Sequence, residues 1–227
     1  MPTIVFASPK GGAGKSTSAV VLSCELARSG VGVTIIDADP NRPVTKWGRL
    51  EGRPNSLTVV GDVTEASIID EMETRAAQVP FVIVDLEGTA SMTVAYAISR
   101  ADLVIIPVQG SQLDASEAAK AIKLIRQQEK AFSRRIPYAV LFTRTSAVIK
   151  PRLLRHIREE LQGADVPIFS AQMHEREAFR AIFSFGGTID TLRPSQVSNL
   201  PAAISNARAF AAEVVGMLRH DANGAAA

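Results

Sequence analysis

The sequence predicts a single α/β domain built on a doubly wound, mostly parallel sheet of about seven strands flanked by helices. Three observations carry that prediction. Apolar runs of strand length recur at 3–7, 33–37, 57–60, 81–85, 103–107, 138–142 and 166–169, nearly continuous in Val, Ile and Leu, as parallel strands covered on both faces are. Helical patterns at 15–29, 64–77, 92–100, 113–131, 150–162, 174–184 and 201–219 fall between them. A chain of 227 residues suits one large domain, and 46% hydrophobic with 21% charged residues is ordinary for a globular protein. The domain is expected over 1–221, with a low-complexity tail at 222–227 that frays.

The first strand runs into Lys10-Gly11-Gly12-Ala13-Gly14-Lys15-Ser16-Thr17 and then into a helix. Glycines let successive backbone N–H groups turn inward around phosphate oxygens, and the following helix aims its positive end at the same anion. Lys15 is placed to reach the β and γ phosphates, and the Ser16 hydroxyl to meet Mg²⁺. The first glycine of the strict phosphate-loop pattern would fall at Ser8 or Pro9, so the match is to the deviant form. Lys10 is not required to hold phosphate; from the residues alone it is either a solvated turn residue or an added positive charge. The single cysteine, Cys24, excludes an internal disulfide, fits a reducing compartment and reads as a small core residue of the first helix.

The second strand ends in Asp37-Ala38-Asp39-Pro40-Asn41, at the carboxyl edge where open α/β sheets bind ligands. An Asp-Pro pair is also a common turn starter, but beside a phosphate loop the functional reading is stronger. Trp47, in the segment 44–50, reads as a core or interface anchor. The strand at 81–85 is apolar and closes on Asp85, the form that holds Mg²⁺ through water. It continues as Leu86-Glu87-Gly88-Thr89-Ala90, where Glu87 offers a second polar contact. The strand at 138–142 is followed by Thr143 and Arg144, and no Asn-Lys-x-Asp pattern that would read guanine appears, which favours ATP over GTP.

Charge is uneven along the chain. Residues 123–158 hold ten Lys/Arg and one acid, Glu129, for +9, whereas the remainder is −7. Within the helix at 150–162, Pro151 suits the first turn. Leu153, Leu154, Ile157 and Leu161 share one face, and Arg152, Arg155 and Arg158 form a stripe on the other, with Lys150 and His156 close by. That stripe is either a phosphate-contacting surface that does not read bases, or a solubilising face on which Arg155 pairs with Glu159. The last helix carries Ile204, Ala207, Phe210, Val214 and Met217 on one side and only Arg208 and Arg219 as bases, so it reads as a packing helix rather than a membrane-surface one. No signal peptide or bilayer-length apolar run is visible, and a cytoplasmic protein is expected. His174 and Glu175 have no metal-ligand partners at useful spacing.

The loop from Lys10 to Thr17, the run Asp37-Ala38-Asp39-Pro40-Asn41 and the strand ending in Asp85 together resemble the ParA/MinD family of deviant Walker A ATPases, over nearly the whole chain and most closely over 2–42 and 80–108. The resemblance implies that Lys10 crosses a homodimer interface to the partner's nucleotide, that Asp39 positions or activates the attacking water, and that Asp37 sits beside the metal and the loop lysines. It also implies that Lys10, Lys15 and Asp39 are catalytic, that Gly11, Gly12, Ala13, Gly14, Ser16 and Thr17 complete the ATP site, and that Ser16 and Asp85 hold Mg²⁺. The family usually has Asn where Thr143 and Arg144 stand, so the adenine-binding region is assigned to them by resemblance. Such proteins bind DNA non-specifically, here through Lys150, Arg152, Arg155 and Arg158, with Arg176 and Arg180 able to join them. The resemblance further implies that DNA binding places the protein on the nucleoid and that a ParB-like or cargo-adaptor protein stimulates slow hydrolysis. No helix-turn-helix segment precedes the first strand, as in the short members. The stretch 173–179 is similar to small ParA-like and VirC1-like proteins, so the alternative is a VirC1-like accessory DNA-binding protein of a DNA transfer system. A third class is a metabolic enzyme on this scaffold: the lone Cys24 argues against a shared iron–sulfur cluster, and a small-molecule ligase would leave the basic stripe without a purpose.

Overall fold

A computed structural model describes residues 1–89, 91–149 and 151–224. Seven strands, β1 (Thr3–Phe6), β2 (Val33–Ala38), β3 (Leu57–Val60), β4 (Phe81–Leu86), β5 (Leu103–Val108), β6 (Tyr138–Thr145) and β7 (Met173–His174), form one sheet in the order β3-β2-β4-β1-β5-β6-β7, with every pairing parallel. The helices are α1 (Lys15–Ala27), α2 (Pro43–Gly48), α3 (Ile68–Gln78), α4 (Met92–Ser99), α5 (Gln112–Phe132), α6 (Arg152–Gly163), α7 (Glu177–Phe185) and α8 (Leu200–Gly224), with a 3₁₀ turn at Ile189–Thr191.

Period-two alternation divides the strand side chains between two cores. Ile4, Phe6, Ile35, Ile83, Ile105 and Leu141 pack with α1, α2, α7 and α8. Val5, Ile36, Val84, Val104, Ile106 and Phe142 pack with α3, α4, α5 and α6. Both layers are therefore helical, which is why the strands show no polar face in the sequence. Cys24 is buried in the first of these cores, and burial pushes its thiol pKa well up. Trp47 is buried there too, its Nε1 donating to the Gly187 carbonyl at 3.1 Å.

Several elements depart from the sequence reading. The run at 166–169 makes only an isolated bridge, Val140 to Ile168, because its apolar side chains feed both cores rather than a ladder. The strand at that edge is instead β7, whose His174 the sequence reads as the first residue of a helix; α7 begins at Glu177. The segment holding Trp47 is a short helix, α2. Pro151 is the N-cap residue of α6 rather than a member of its first turn, and Lys150 lies outside the described residues. α8 runs on to Gly224, so the expected tail is helical at residues 222–224. No described helix is long and apolar enough to cross a membrane.

Candidate functional site

The strand order sets the site. β1 is central, with β4 on one side and β5 on the other, and β2 lies beyond β4. The carboxyl ends of β1, β2 and β4 therefore converge where the connections diverge to the two sides, the crevice in which such sheets bind ligands. The loop after β1 reaches α1 through Gly12 (φ 77°) and Gly14 (φ 95°), both left-handed, a geometry glycine adopts without steric cost. Gly14 caps α1, so the free N–H groups of its first turn face the crevice.

Lys15 is buried, its Nζ donating to the carbonyls of Ser8 (3.4 Å) and Lys10 (3.3 Å). Burial lowers its pKa, and the charges of Asp85, Asp39 and Glu87 oppose that shift. Asp85 is fully buried, and neither carboxylate oxygen has a hydrogen-bond partner by distance and angle. Burial drives its pKa up to about 7; the nearby Ser16 hydroxyl pulls it down, Asp37 pushes it up, Lys15 lowers it and Asp39 raises it. Asp37 and Asp85 are register partners on β2 and β4. Asp37 is committed locally: Oδ2 accepts the Thr45 N–H at 2.6 Å, in the first turn of α2, and Oδ1 accepts the Asp39 N–H at 3.4 Å. Burial raises its pKa, and the Thr45 hydrogen bonds offset part of that rise. Asp39 Oδ1 closes a turn on the Asn41 backbone N–H (2.8 Å) and side-chain amide (3.0 Å).

Of these groups Lys15 and Asp39 line a cleft of about 480 Å³, bounded also by Gly11, Gly12, Gly14, Ser16 and Thr17, by Asn41, by Glu87 and Gly88, and by Arg144. Gly88 is where the loop after β4 touches the phosphate loop: a Cβ there would lie 2.8 Å from the Gly11 nitrogen and 3.1 Å from its Cα.

Two side chains hold the phosphate loop from beneath. Thr143, buried at the end of β6, donates to the Ala13 carbonyl at 2.7 Å, and Gln109 Nε2, just past β5, donates to the Gly12 carbonyl at 2.8 Å. Sequence reasoning places Thr143 with the base and misses Gln109; both bonds join residues about a hundred positions apart, beyond the reach of any local pattern. Arg144 sits in a bulge of β6 with φ 51°. Its guanidinium faces Glu175 at 4.0 Å, and Arg180 also pairs with Glu175. Arg176 and Arg180 thus line a small pocket beside Gly14 and Thr17, at the carboxyl edge rather than on α6. His174 Nδ1 contacts the Thr145 hydroxyl at 2.9 Å; burial and Arg176 lower the His174 pKa.

The α6 stripe is only partly as the sequence predicts. Arg152 and Arg155 are exposed, but Arg158 is half-buried, its guanidinium 5.2 Å from the centre of the Phe142 ring. A three-residue step turns the helix through about 300°, so successive members swing by about 60° and the third rotates toward the sheet. By the same rotation Leu153 lies exposed. The i,i+4 pair on this helix is His156 with Glu160 at 3.8 Å, and no Arg155–Glu159 pair forms among the described residues.

A parallel sheet in this order, with a glycine loop feeding a helix at its centre and acids near the ends of β4 beside it and β2 beyond, fits a P-loop NTPase domain of the ParA/MinD type, to which the relatives below also belong. Within that class the chain belongs to the VirC1 family, whose profile, described as VirC1 protein, matches residues 1–218. It is 46% identical over 211 residues to Protein ParA of Rhizobium radiobacter, across 93% of this chain and 95% of that relative. It is 30% identical over 187 residues to Protein virC1 of Rhizobium rhizogenes, across 80% of each. Among solved structures, an ATP complex of McdA from Cyanothece matches with a TM-score of 0.77 at 16% identity, over 95% of this chain and 96% of that one, a likeness of fold.

Proposed function

We propose that the chain is an ATP-driven switch of the partition type. It binds ATP with Mg²⁺, pairs with a second copy across the nucleotide, holds DNA without reading its sequence, and releases it after a slow hydrolysis that a ParB-like or cargo-adaptor protein speeds. The object positioned would be a plasmid, a chromosome region or a protein cargo. The observation that carries this reading is the fully buried Asp85 carboxylate, close to Ser16 and Lys15, which themselves line the cleft with the first turn of α1. An anionic group in water-poor surroundings needs a cation to be stable, and a triphosphate arriving with its metal ion supplies one.

The residues divide the work. Backbone N–H groups from Gly11 to Thr17 and the Lys15 ammonium would cradle the phosphates. Ser16 and Asp85 would hold Mg²⁺, hard oxygen donors for a hard cation, which when bound neutralises charge on the transferring phosphoryl group. Asp39, tied into its turn by Asn41, would orient the attacking water. Lys10, at the mouth of the loop, would reach the partner's nucleotide, so that hydrolysis requires the dimer. Thr143 supports the loop while Arg144 lines the cleft where the base would approach. Arg152 and Arg155 remain the exposed phosphate contacts on α6.

Equilibrium ATP binding and turnover test the reading. Lys15→Ala should abolish binding, and Asp39→Ala should bind ATP and accumulate as a DNA-bound dimer in gel-shift and light-scattering experiments. Normal turnover by Asp39→Ala would refute the mechanism. The family match across residues 1–218 favours one second reading, an accessory DNA-binding protein of a DNA transfer system with hydrolysis secondary. Protection of a defined sequence in footprinting would select it over the non-specific switch.

A further inference from the structure

We propose that the outer face of α5 docks an acidic segment of a partner protein, which straddles the helix and sinks one apolar side chain on each side of it. α5 rests on the sheet through Ala118, Ala121, Ile122 and Ile125. Its outward residues include Lys120, Lys123, Arg126 and Lys130, all exposed and spaced by three or four so that they share one side of the helix. A hollow lies on either flank of this ridge. One, of about 310 Å³, opens between α5 and α4 and is walled by Val94, Ile98, Ala121 and Leu124. The other, of about 480 Å³, opens toward the end of α6 and is walled by Ile122, Leu161, Ala164 and Val166. Lys123 and Gln127 line both, so the two hollows meet across the helix.

Charge identifies the occupant. Lys123, Arg126 and Lys130 make no ion pair with any described residue. Lys120 has only the surface pair with Glu117 at 2.7 Å, and Glu129, the other acid on this part of the helix, is spent on the Ile136 N–H at 2.9 Å. A row of uncompensated cations attracts an acidic partner. The apolar walls choose between acidic partners: a DNA backbone gains nothing from them, whereas a polypeptide carrying both acids and apolar residues uses charge and hollow together. The helix is about 10 Å across, and an extended chain advances about 3.3 Å per residue, so the two apolar anchors should stand three or four residues apart with acids between them.

The hollow on the α4 side is also walled by Ser8 and Pro9, where the phosphate loop begins, and by Thr89, after β4. A side chain seated there touches both segments that carry Lys15 and Asp85, so docking would alter nucleotide turnover. That regulatory half rests on the ATPase reading above; the docking itself does not.

The test is a random nonapeptide display library panned on the full chain without nucleotide. Acid-rich sequences with two large apolar residues three or four apart are expected. The labelled consensus peptide should bind in fluorescence anisotropy, should lose at least tenfold in affinity on Ala164→Trp or on the exposed Gln127→Trp, and should not bind the Lys123→Glu/Arg126→Glu double variant. No consensus, a basic consensus, or undiminished binding to the tryptophan variants overturns the proposal. So does competition by a duplex DNA fragment whose binding needs Lys123 and Arg126 but ignores Ala164→Trp, which would make the ridge a nucleic-acid face. If the peptide binds but turnover of ATP is unchanged, the regulatory half falls. If the chain turns over no ATP while the peptide still binds, the ATPase reading falls and the docking site stands.

Discussion

Replacing Asp85 by Asn should stabilise the nucleotide-free chain above neutral pH while abolishing Mg²⁺-dependent ATP binding. The magnitude follows from its surroundings. Burial carries the carboxyl pKa from 3.8 to about 7, with Asp37 adding to the rise and Ser16 and Lys15 opposing it. Because the folded value lies above the unfolded one, the native chain keeps a proton that the unfolded chain has shed over that range. The resulting stabilisation is complete below pH 3.8 and is lost as pH rises through about 7. At about 1.4 kcal/mol per unit, the ionised carboxylate costs the fold on the order of 4 kcal/mol above that range. Integrated between about pH 5.5 and 8.5, the loss is about 2 kcal/mol. Asn carries no charge, although its buried amide costs about 1–3 kcal/mol if left unpaired, so the net gain at alkaline pH is smaller than the full figure. Urea unfolding of both proteins at the two pH values, without nucleotide or Mg²⁺, measures it. Asp37 is raised in the same direction and contributes to both profiles, so the difference between them reports Asp85 together with its coupling to Asp37. Parallel profiles would show that the carboxylate is not held at the cost argued here, and would remove the main support for a cation at this position.

Three further outcomes are expected. Gly88→Ala brings a Cβ to 2.8 Å from the Gly11 nitrogen, so one loop must yield, and calorimetry should show at least about tenfold weaker ATP binding, or about 1.4 kcal/mol. Thr143→Val keeps the shape but strips the Ala13 carbonyl of its donor, and urea unfolding should report a loss of about 1–3 kcal/mol. Arg158→Ala should cost about 1 kcal/mol of stability through the lost contact with Phe142 and leave DNA retention in anisotropy assays intact, whereas Arg152→Glu with Arg155→Glu should do the reverse.

The central strands and the phosphate loop were legible because physics leaves them little choice. A strand covered on both faces must be continuously apolar, and a loop that closes around phosphate must be rich in glycine and end on a lysine. The place of Asp85 was legible too, since an acid breaking such an apolar run marks the carboxyl end of the strand. The β7 edge of the sheet was not. An edge strand has one neighbour and needs no apolar run, so the two residues of β7 left no pattern, and the apolar run at 166–169 belongs to the cores. α2 was hidden because its cap is not local: the acceptor for its Thr45 N–H is the carboxylate of Asp37, on β2. On α6 the residue types were right and the angle was wrong, since a spacing of three drifts around a helix and carries Arg158 from water to the Phe142 ring.

That tertiary cap assigns Asp37 a role distinct from the one its position suggests. Beside Asp85 in register, it is placed like a second metal ligand, yet its oxygens are taken by the Thr45 and Asp39 backbone N–H groups. Its effect is to hold the turn Asp39-Pro40-Asn41 between β2 and the first turn of α2. The far half of α2 is anchored as well, by the Trp47 indole on the Gly187 carbonyl, where Gly52 and Gly187 approach so closely that a Cβ on Gly52 would lie 3.1 Å from the Gly187 Cα. Asp39 is thus carried on a short rigid lever pinned at both ends, one pin in the nucleotide cleft and the other just past α7. Through α2, Asp39 is connected to the Gly186–Gly187 turn. That turn follows the helix bearing Arg180, whose partner Glu175 also faces Arg144 at the cleft. The phosphate end and the Arg144 end of the cleft are therefore joined through α2 and α7 as well as through the loop itself.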